Sequence, residues 1–306
     1  MNRDLYAEVT ARIIAALEAG VTPWTIPWSV DFDPTPINAV SRRGYRGINA
    51  VLLTLESQTK GFSRNAWLTY HQAQELGAQV RAGESGSPIV FYKLQELPHM
   101  TTVEELEDQP RLKVVPLLRN FTVFNVAQVD RLPEGLRVKE AIASWDPQQA
   151  AETILKSSGA DIRHGGYMAF YDPADDRIQL PERGHFHDGA AYYSTALHEL
   201  THWTGHAKRL NRTLESRFGG AAYAMEELIA EMGSAFLCAS CYLEGRMRHA
   251  GYIDRWLEVL RRDKRAVFAA AAKAQKATDY IESVCGSPPT AANANAACSH
   301  EEAGTA

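Results

Sequence analysis

The chain has 306 residues, of which 45% are hydrophobic and 23% are charged, a composition typical of a soluble globular protein with a sizeable core. Its net charge of −5 argues against a uniformly basic nucleic-acid binder, although it is compatible with a local basic groove. No apolar run has the length of a membrane span, and Asp4 and Glu8 lie where a signal peptide would be basic or apolar, so we expect a cytoplasmic protein.

The first part of the chain predicts mixed α and β structure. Apolar residues at helical spacing predict one helix over residues 4–19, a second over 49–57 and a short third over 71–76. Segments rich in β-branched and aromatic residues, 88–93 and 118–126, predict strands of a small sheet. We therefore expect an N-terminal mixed α/β domain, and an acidic solvated loop between these two strands.

The second part predicts a helical domain with a few short strands. A helix is expected over 147–157, and short strands near 162, 168–171 and 178–180. Further helices follow, one of them over residues 223–237. The sequence thus predicts an α+β fold with two domains, at residues 1–135 and 145–285, and a disordered tail over 286–306.

A zinc-protease signature lies in the last two turns of the predicted helix that begins near Asp188. Residues 198–202 read H-E-x-x-H. Two histidines four residues apart on a helix lie on one face, with Cβ atoms about 6 Å apart, so His198 and His202 can reach one metal ion. Glu199 then lies beside the metal and can take a proton from a water that the metal activates. The competing interpretation is a pair of ordinary solvated or buried histidines.

The third ligand has to come from elsewhere in the chain. A metzincin would have a histidine at position 208, which is a lysine here, and His206 follows the predicted end of the helix. The helical pattern over 223–237 carries Glu227 and Glu231 four positions apart, beside an apolar stripe. Two buried carboxylates repel each other unless a cation lies nearby, so either one could be the ligand. The neighbouring Glu226 is a third candidate, although its face of the helix is expected to be exposed to solvent.

The ligand types favour a divalent ion but leave its identity open. Two imidazoles and one carboxylate are typical of a catalytic zinc site that keeps one position for water, so zinc is the default. The same nitrogen and oxygen ligands also suit manganese and other first-row ions. The pair Cys238 and Cys241 has no further cysteine or histidine nearby in sequence, so we expect free thiols there instead of a second metal site.

A second chemical signal comes from arginines and aromatic residues in the first part. Arginine neutralises phosphates, and aromatic rings stack on unpaired bases with about 1–3 kcal/mol per base, so the combination suits single-stranded nucleic acid. Tryptophans near prolines can equally be core residues, and an arginine cluster can be a solvated turn. The predicted contacts are Arg42, Arg43 and Arg46 for phosphates, and Trp24, Trp28, Tyr45 and Trp67 for bases.

A family resemblance rests on several short segments in collinear order. These segments are residues 23–28, 43–49, 65–73, 77–86, 121–128, 198–202 and 227–236. By them the chain resembles the ArdC-type antirestriction proteins, whose first domain also begins certain plasmid conjugative primases. The resemblance extends over nearly the whole chain before the tail. A primase function is disfavoured, because the zincin pattern after residue 130 leaves no room for a polymerising domain.

That resemblance implies a plasmid-encoded protein that binds single-stranded DNA and protects incoming DNA from host restriction during conjugation. It also implies a zincin-like metallopeptidase domain. The arrangement resembles the gluzincin type, which makes Glu227 the third ligand and Glu231 the residue that hydrogen-bonds a histidine ligand. Two functions remain open: a peptidase that cleaves a host restriction component, and a DNA-masking protein whose metal site is structural or vestigial. The presence of Glu199 favours the peptidase, because a structural site needs no general base.

Overall fold

A computed structural model describes residues 4–25, 34–97, 113–137, 146–212, 220–245 and 250–285. Mixed helix and sheet confirms the predicted α+β class. The elements are α1 (Leu5–Glu18), β1 (Ile37–Asn38), α2 (Ile48–Lys60), β2 (Ala66–Thr69), α3 (Tyr70–Glu75), β3 (Gln79–Val80), β4 (Ser87–Leu97), β5 (Lys113–Asn125), β6 (Val129–Asp130), α4 (Glu134–Arg137), α5 (Pro147–Ser157), β7 (Asp161–His164), β8 (Phe170–Asp172), β9 (Arg177–Leu180), α6 (Gly189–Trp203), α7 (Ala221–Ser240), α8 (Ile253–Arg262) and α9 (Ala266–Cys285). The predicted acidic loop and the tail lie outside the described residues.

Side-chain caps set the start of several helices. Asp4 accepts a hydrogen bond from the backbone N–H of Ala7 at the start of α1, and Asp146 caps α5 in the same way. Helix α1 stops where Gly20 adopts a φ of 75°, a left-handed conformation that costs glycine little. The helices predicted over 4–19 and 147–157 are therefore confirmed to within a residue or so, while α2 is longer than predicted.

The first part is built around a sheet with strand order β1-β2-β5-β4. Strands β4 and β5 form a long antiparallel hairpin in which Ile89 lies opposite Phe121. Helix α2 runs along the open edge of β4, where the Asn49 side chain donates to the carbonyl of Val90 and accepts from its N–H, both at 2.8 Å. The Asn49 side chain thus pairs the N–H and the carbonyl of Val90, which would otherwise be unpaired at the edge of the sheet.

The second part combines a small sheet with helices. Its strand order is β7-β9-β8, with β7 parallel and β8 antiparallel to β9. Buried residues of α5, β9 and α6 share one hydrophobic cluster, which includes Ile154, Ile178 and Leu197. This cluster holds the helix that bears the H-E-x-x-H motif against the sheet and leaves its opposite side facing α7.

One hydrophobic core joins the two parts. Helix α1 packs on α8, and α2 packs on α9, while both α8 and α9 pack on α7. The shared cluster contains Ile13 of α1, Leu52 of α2, Leu228 of α7 and Trp256 of α8. The division into 1–135 and 145–285 stays a prediction, and the described helices on either side of it are in contact. None of the described helices is long and apolar enough to cross a membrane.

Candidate functional site

Helix α6 places the H-E-x-x-H residues in a buried position. Asp188 caps its start by accepting from the N–H of Ala191 at 2.8 Å, as the sequence predicts. His198 and Glu199 follow in the third turn, and both side chains are buried. His202 lies in the last turn and is nearly buried as well. The motif is therefore an interior feature of the protein and not part of a solvated helix face.

Helix α7 brings a carboxylate to the two imidazoles. The Nε2 atoms of His198 and His202 are 3.1 Å apart. Glu227 Oε1 lies 3.4 Å from His202 Nε2, and Glu227 Oε2 lies 3.6 Å from His198 Nε2. One ligand atom from each of the three residues lies within 4.8 Å of the others. The structure thus brings together the three residues that the sequence predicts as ligands.

The chemistry and spacing of these atoms fit a divalent ion. Nitrogen and oxygen atoms that share a tetrahedral ion at about 2.0–2.1 Å lie about 3.3 Å from one another. The observed separations of 3.1, 3.4 and 3.6 Å scatter around that value. The carboxylates of Glu199, Glu226, Glu227 and Glu231 are all buried nearby, and buried negative charge is strongly unfavourable without a cation.

Each histidine has its own carboxylate on the side away from the other ring. Glu231 Oε1 lies 3.8 Å from His198 Nδ1, and Glu226 Oε1 lies 3.2 Å from His202 Nδ1. A carboxylate that hydrogen-bonds Nδ1 fixes the tautomer and the orientation of a metal-binding imidazole, and of these two distances only that of Glu226 is within hydrogen-bonding range. Glu231 therefore lies where the gluzincin resemblance expects a supporting residue, although its role stays a prediction.

The expectation that Glu226 faces solvent is wrong. Its side chain is buried, because Arg212 folds back over the start of α7 and donates to Glu226 from both Nε and Nη2. The same guanidinium donates to the carbonyl of Thr201 at 2.7 Å and to Thr204 Oγ1 at 2.8 Å. Arg212 thereby links the end of α6 to α7. The sequence carries no local signal for this residue, since it follows the motif in an irregular segment.

The environment of the second histidine favours positive charge. Burial would by itself lower the pKa of His202, but hydrogen bonds with Glu226 and Glu227 outweigh it and raise that pKa to about 10. Burial, and hydrogen bonds with Tyr252 and Glu227, raise the pKa of Tyr223 well above its usual value. The Tyr223 hydroxyl therefore stays protonated beside Glu227, and it accepts a hydrogen bond from the Tyr252 hydroxyl at 3.5 Å, contacts that sequence reasoning missed.

Two other groups near the motif have separate contacts. His206 is outside the three-residue cluster; its Nδ1 lies 3.9 Å from Asp176 and accepts the N–H of Lys208. Cys238 and Cys241 are free, buried thiols, as predicted. Burial raises the pKa of Cys238 to about 12, so this thiol is a poor nucleophile at neutral pH.

The arginine loop, residues 42–46, lies on the surface. Arg42 and Arg43 are exposed, while Arg46 forms an ion pair with Asp279 of α9. Tyr45 is half-buried, and the amide of Asn38 donates to its hydroxyl at 3.4 Å. A cavity of about 420 Å³ lies between this loop and helices α7 and α9. The loop that the sequence predicts to contact phosphates is therefore accessible.

The tryptophans do not join this loop as a stacking surface. Trp24 is 3% exposed and packs edge-to-face on Trp256, and Trp67 is 0% exposed with its indole N–H bonded to Asn65 at 2.8 Å. Neither ring presents a face to solvent, so the prediction that Trp24 and Trp67 stack on bases is wrong. Trp28 lies outside the described residues.

Comparisons with known proteins cover both parts of the chain. Residues 3–124 match the family model described as the N-terminal domain of anti-restriction factor ArdC, and residues 149–273 match the model described as zincin-like metallopeptidase. The protein y4eC of Sinorhizobium fredii (strain NBRC 101917 / NGR234), itself uncharacterized, is 42% identical over 290 residues, which are 91% of each chain. Two DNA primases TraC of Escherichia coli are 39% and 41% identical over 92% of this chain, but the matched region spans only 27% and 20% of their own lengths.

Two solved structures share this fold over more than nine-tenths of the chain. The metal-free crystal structure of the antirestriction ArdC protein from plasmid R388 has a TM-score of 0.78 at 41% identity, and the match covers 94% of this chain and 100% of that one. The Mn(II)-bound structure of that protein has a TM-score of 0.74 at 40% identity, covering 93% of this chain and 99% of that one. Fold and sequence therefore agree along both parts.

Proposed function

Because this chain belongs to the ArdC family of antirestriction proteins and carries a zincin-like domain, we propose that it binds single-stranded DNA and protects incoming plasmid DNA from host restriction during conjugation. The exposed guanidinium groups of Arg42 and Arg43 support contact with phosphates. The similarity of 92% of the chain to part of two DNA primases also supports a DNA partner.

The metal centre of this proposal consists of His198, His202 and Glu227. The observation that carries it is the convergence of their ligand atoms within 4.8 Å in a buried site. A divalent ion bound there would polarise a water molecule or a peptide carbonyl. Zinc suits the ligand set, and manganese is supported by the Mn(II)-bound state of the R388 relative.

The surrounding residues have roles that favour peptide hydrolysis. Glu199 would accept the proton of the attacking water and pass it to the leaving amine nitrogen, which requires a carboxylate beside the ligands and not among them. Glu231 and Glu226 would keep the two imidazoles oriented. Tyr223, held in its protonated form, would donate a hydrogen bond at the rim of the same site. A host restriction component is the proposed protein substrate.

The alternative is a DNA-masking protein whose metal centre only stabilises the fold. Glu199→Ala, with the volume-keeping Glu199→Gln as companion, separates the two functions. We expect both variants to retain metal, measured by mass spectrometry of the purified protein, and to lose protection of a conjugated plasmid in a restricting host. Full protection with full metal content would rule out proteolysis as the antirestriction mechanism. His198→Ala is the control that loses the metal.

DNA binding is tested separately with the arginine loop. Replacing Arg43 and Arg46 by alanine should weaken binding of single-stranded DNA and reduce the slope of log K against log salt by about 0.7 for each phosphate that is no longer neutralised. Fluorescence anisotropy with a labelled oligothymidine between low and moderate salt measures both quantities. An unchanged affinity and slope would remove this loop from the DNA-binding surface.

A further inference from the structure

Two phenylalanines lie side by side on the surface of the first sheet. Phe91 on β4 is 48% exposed and Phe121 on β5 is 49% exposed. Their ring centroids are 5.3 Å apart, with an angle of 85° between the planes. A single exposed apolar side chain needs no explanation, but two aromatic rings in contact on an open strand pair form a small apolar surface that could bind a partner.

Strand register shows which side of the sheet these rings occupy. Side chains at alternate positions of a strand share a face, so Phe121 lies on the same face as Val123, and Phe91 on the same face as Ile89. Ile89 and Val123 belong to a buried cluster against which Tyr45 packs. The exposed rings therefore continue a face that begins under the arginine loop.

A positive charge completes this surface. Arg119 lies directly opposite Phe91 in the register and is exposed on the same face. Among the residues whose side chains the structure describes, no carboxylate pairs with Arg119. We call Phe91, Arg119 and Phe121 the aromatic face.

We propose that the aromatic face is the surface on which bases of single-stranded DNA stack, with Arg119 contacting the adjacent phosphate. Unpaired bases offer flat apolar rings and a regular negative charge, and the face offers aromatic rings beside a guanidinium. Bases within a duplex already stack on each other, so the surface favours a single strand. This inference rests on the proposed function and names where its DNA contact lies, in place of the buried Trp24 and Trp67.

The first arm of the test removes the rings and keeps the charges. Phe91→Leu combined with Phe121→Leu should weaken binding of fluorescein-labelled oligothymidine at least about tenfold and leave the salt slope unchanged, because stacking releases no counterions. Tyr70→Leu is the matched control: Tyr70 is 44% exposed but contacts Phe124, whose side chain points to the other side of the sheet. It should bind like wild type.

The second arm removes the charge, and the third removes the bases. Arg119→Gln should reduce the salt slope by about 0.7 with a smaller loss of affinity. Wild-type protein should bind an abasic strand of equal length more weakly than it binds oligothymidine. On the abasic strand, the affinities of the wild-type protein and of the double leucine variant should be equal. The weaker binding of the abasic strand is measured on wild-type protein alone, so it does not depend on the folding of any variant. Circular dichroism checks the folding of each variant.

The outcomes are distinguishable. If wild-type protein binds oligothymidine and the double leucine variant binds it equally well, the aromatic face is not the stacking surface. If the double variant instead changes only the sedimentation behaviour of the protein, the face joins two copies of the chain and the proposal is overturned. If wild-type protein binds no single-stranded DNA at all, the proposed function itself fails.

Discussion

The two helices that carry the proposed metal ligands approach each other closely at Gly233, and Gly233→Ala tests whether that approach is necessary. A Cβ atom at this position of α7 would lie 2.5 Å from Thr201 Cγ2 and 2.9 Å from Thr201 Oγ1. Thr201 is fully buried on α6, and its hydroxyl donates to the carbonyl of Leu197 at 2.8 Å. Rotating the threonine side chain away from this contact would therefore break a buried hydrogen bond.

Two opposing effects determine how much Gly233→Ala changes the unfolding free energy. Alanine is favoured over glycine in a helix interior by about 1 kcal/mol. Against this, relieving a 2.5 Å contact requires the helices to separate by roughly 1 Å, and such overpacking of a core costs about 1–3 kcal/mol or more. Because Thr201 is fully buried and hydrogen-bonded, we take the upper part of that range, about 2–3 kcal/mol, and expect a net loss of unfolding free energy of about 1–2 kcal/mol. Metal affinity should fall as well, because ligand positions tolerate displacements of only about 0.2 Å.

Urea unfolding followed by circular dichroism measures the stability change, and competition with a metal chelator measures the affinity. Gly135→Ala is the matched control, since a Cβ there meets nothing within 4 Å, and it should be neutral or slightly stabilising. Thr201→Ala in the Gly233→Ala background removes both clashing atoms and should recover part of the loss, giving a coupling energy of about 1 kcal/mol or more. Additive effects, or a Gly233→Ala variant as stable as wild type, would refute the close-packing argument.

Three further predictions concern other contacts of the fold. Arg212→Met leaves the buried Glu226 without its guanidinium and should lower the unfolding free energy by about 3–5 kcal/mol in urea, whereas Arg163→Met, in an exposed pair with Asp161, should change it by less than about 1 kcal/mol. Hydrogen bonds from Arg209 and Tyr171 lower the pKa of Asp176, so Asp176→Asn should lower the unfolding free energy at neutral pH. The difference from wild type should shrink as the pH falls below about 4, because the wild-type carboxylate then becomes protonated and its ionic contacts are lost. Trp67→Phe loses the bond to Asn65 and should lower stability by about 1–3 kcal/mol while leaving the affinity of the folded protein for oligothymidine unchanged.

The three proposed metal ligands are more predictable from sequence than the residues around them. His198 and His202 are four positions apart on one helix, so local geometry alone brings their rings together. Glu227 lies on a different helix, so local geometry could not connect it with the two histidines, and only the family resemblance identified it as the third ligand. The expectation for Glu226 fails because a neighbouring position on an amphipathic helix normally faces solvent, whereas α7 is buried on nearly all sides. Which positively charged side chain contacts Glu226 depends on where the chain places Arg212, and helical or strand periodicity does not predict that position.

The proposed nucleic-acid surface illustrates the same limit for aromatic residues. A tryptophan beside prolines has the same local sequence whether it packs in a core or stacks on a base. Trp24 is buried because α8, far along the chain, brings Trp256 against it. Phe91 and Phe121 are exposed, although Ile89 and Val123 on the same face of the same strands are buried in a cluster with Leu53 and Trp67. Both outcomes are decided by tertiary packing, which strand and helix propensities do not contain.

The shared core leads to a final prediction: the first part of the chain, which includes α1, and the helices that carry the proposed metal ligands unfold together. Ile13 of α1 is fully buried in the same cluster as Leu228 of α7, and contacts run from α1 through α8 to α7. Ile13→Ala should lower the unfolding free energy by about 2–5 kcal/mol. Because α7 carries Glu227, the urea midpoint of metal release should fall together with the urea midpoint of unfolding. Metal release and circular dichroism, recorded on one sample, measure the two transitions. If the midpoint of metal release stayed unchanged while the circular dichroism signal showed two steps, the two parts would be independent folding units. The contact between them would then contribute little to the stability of the proposed metal centre.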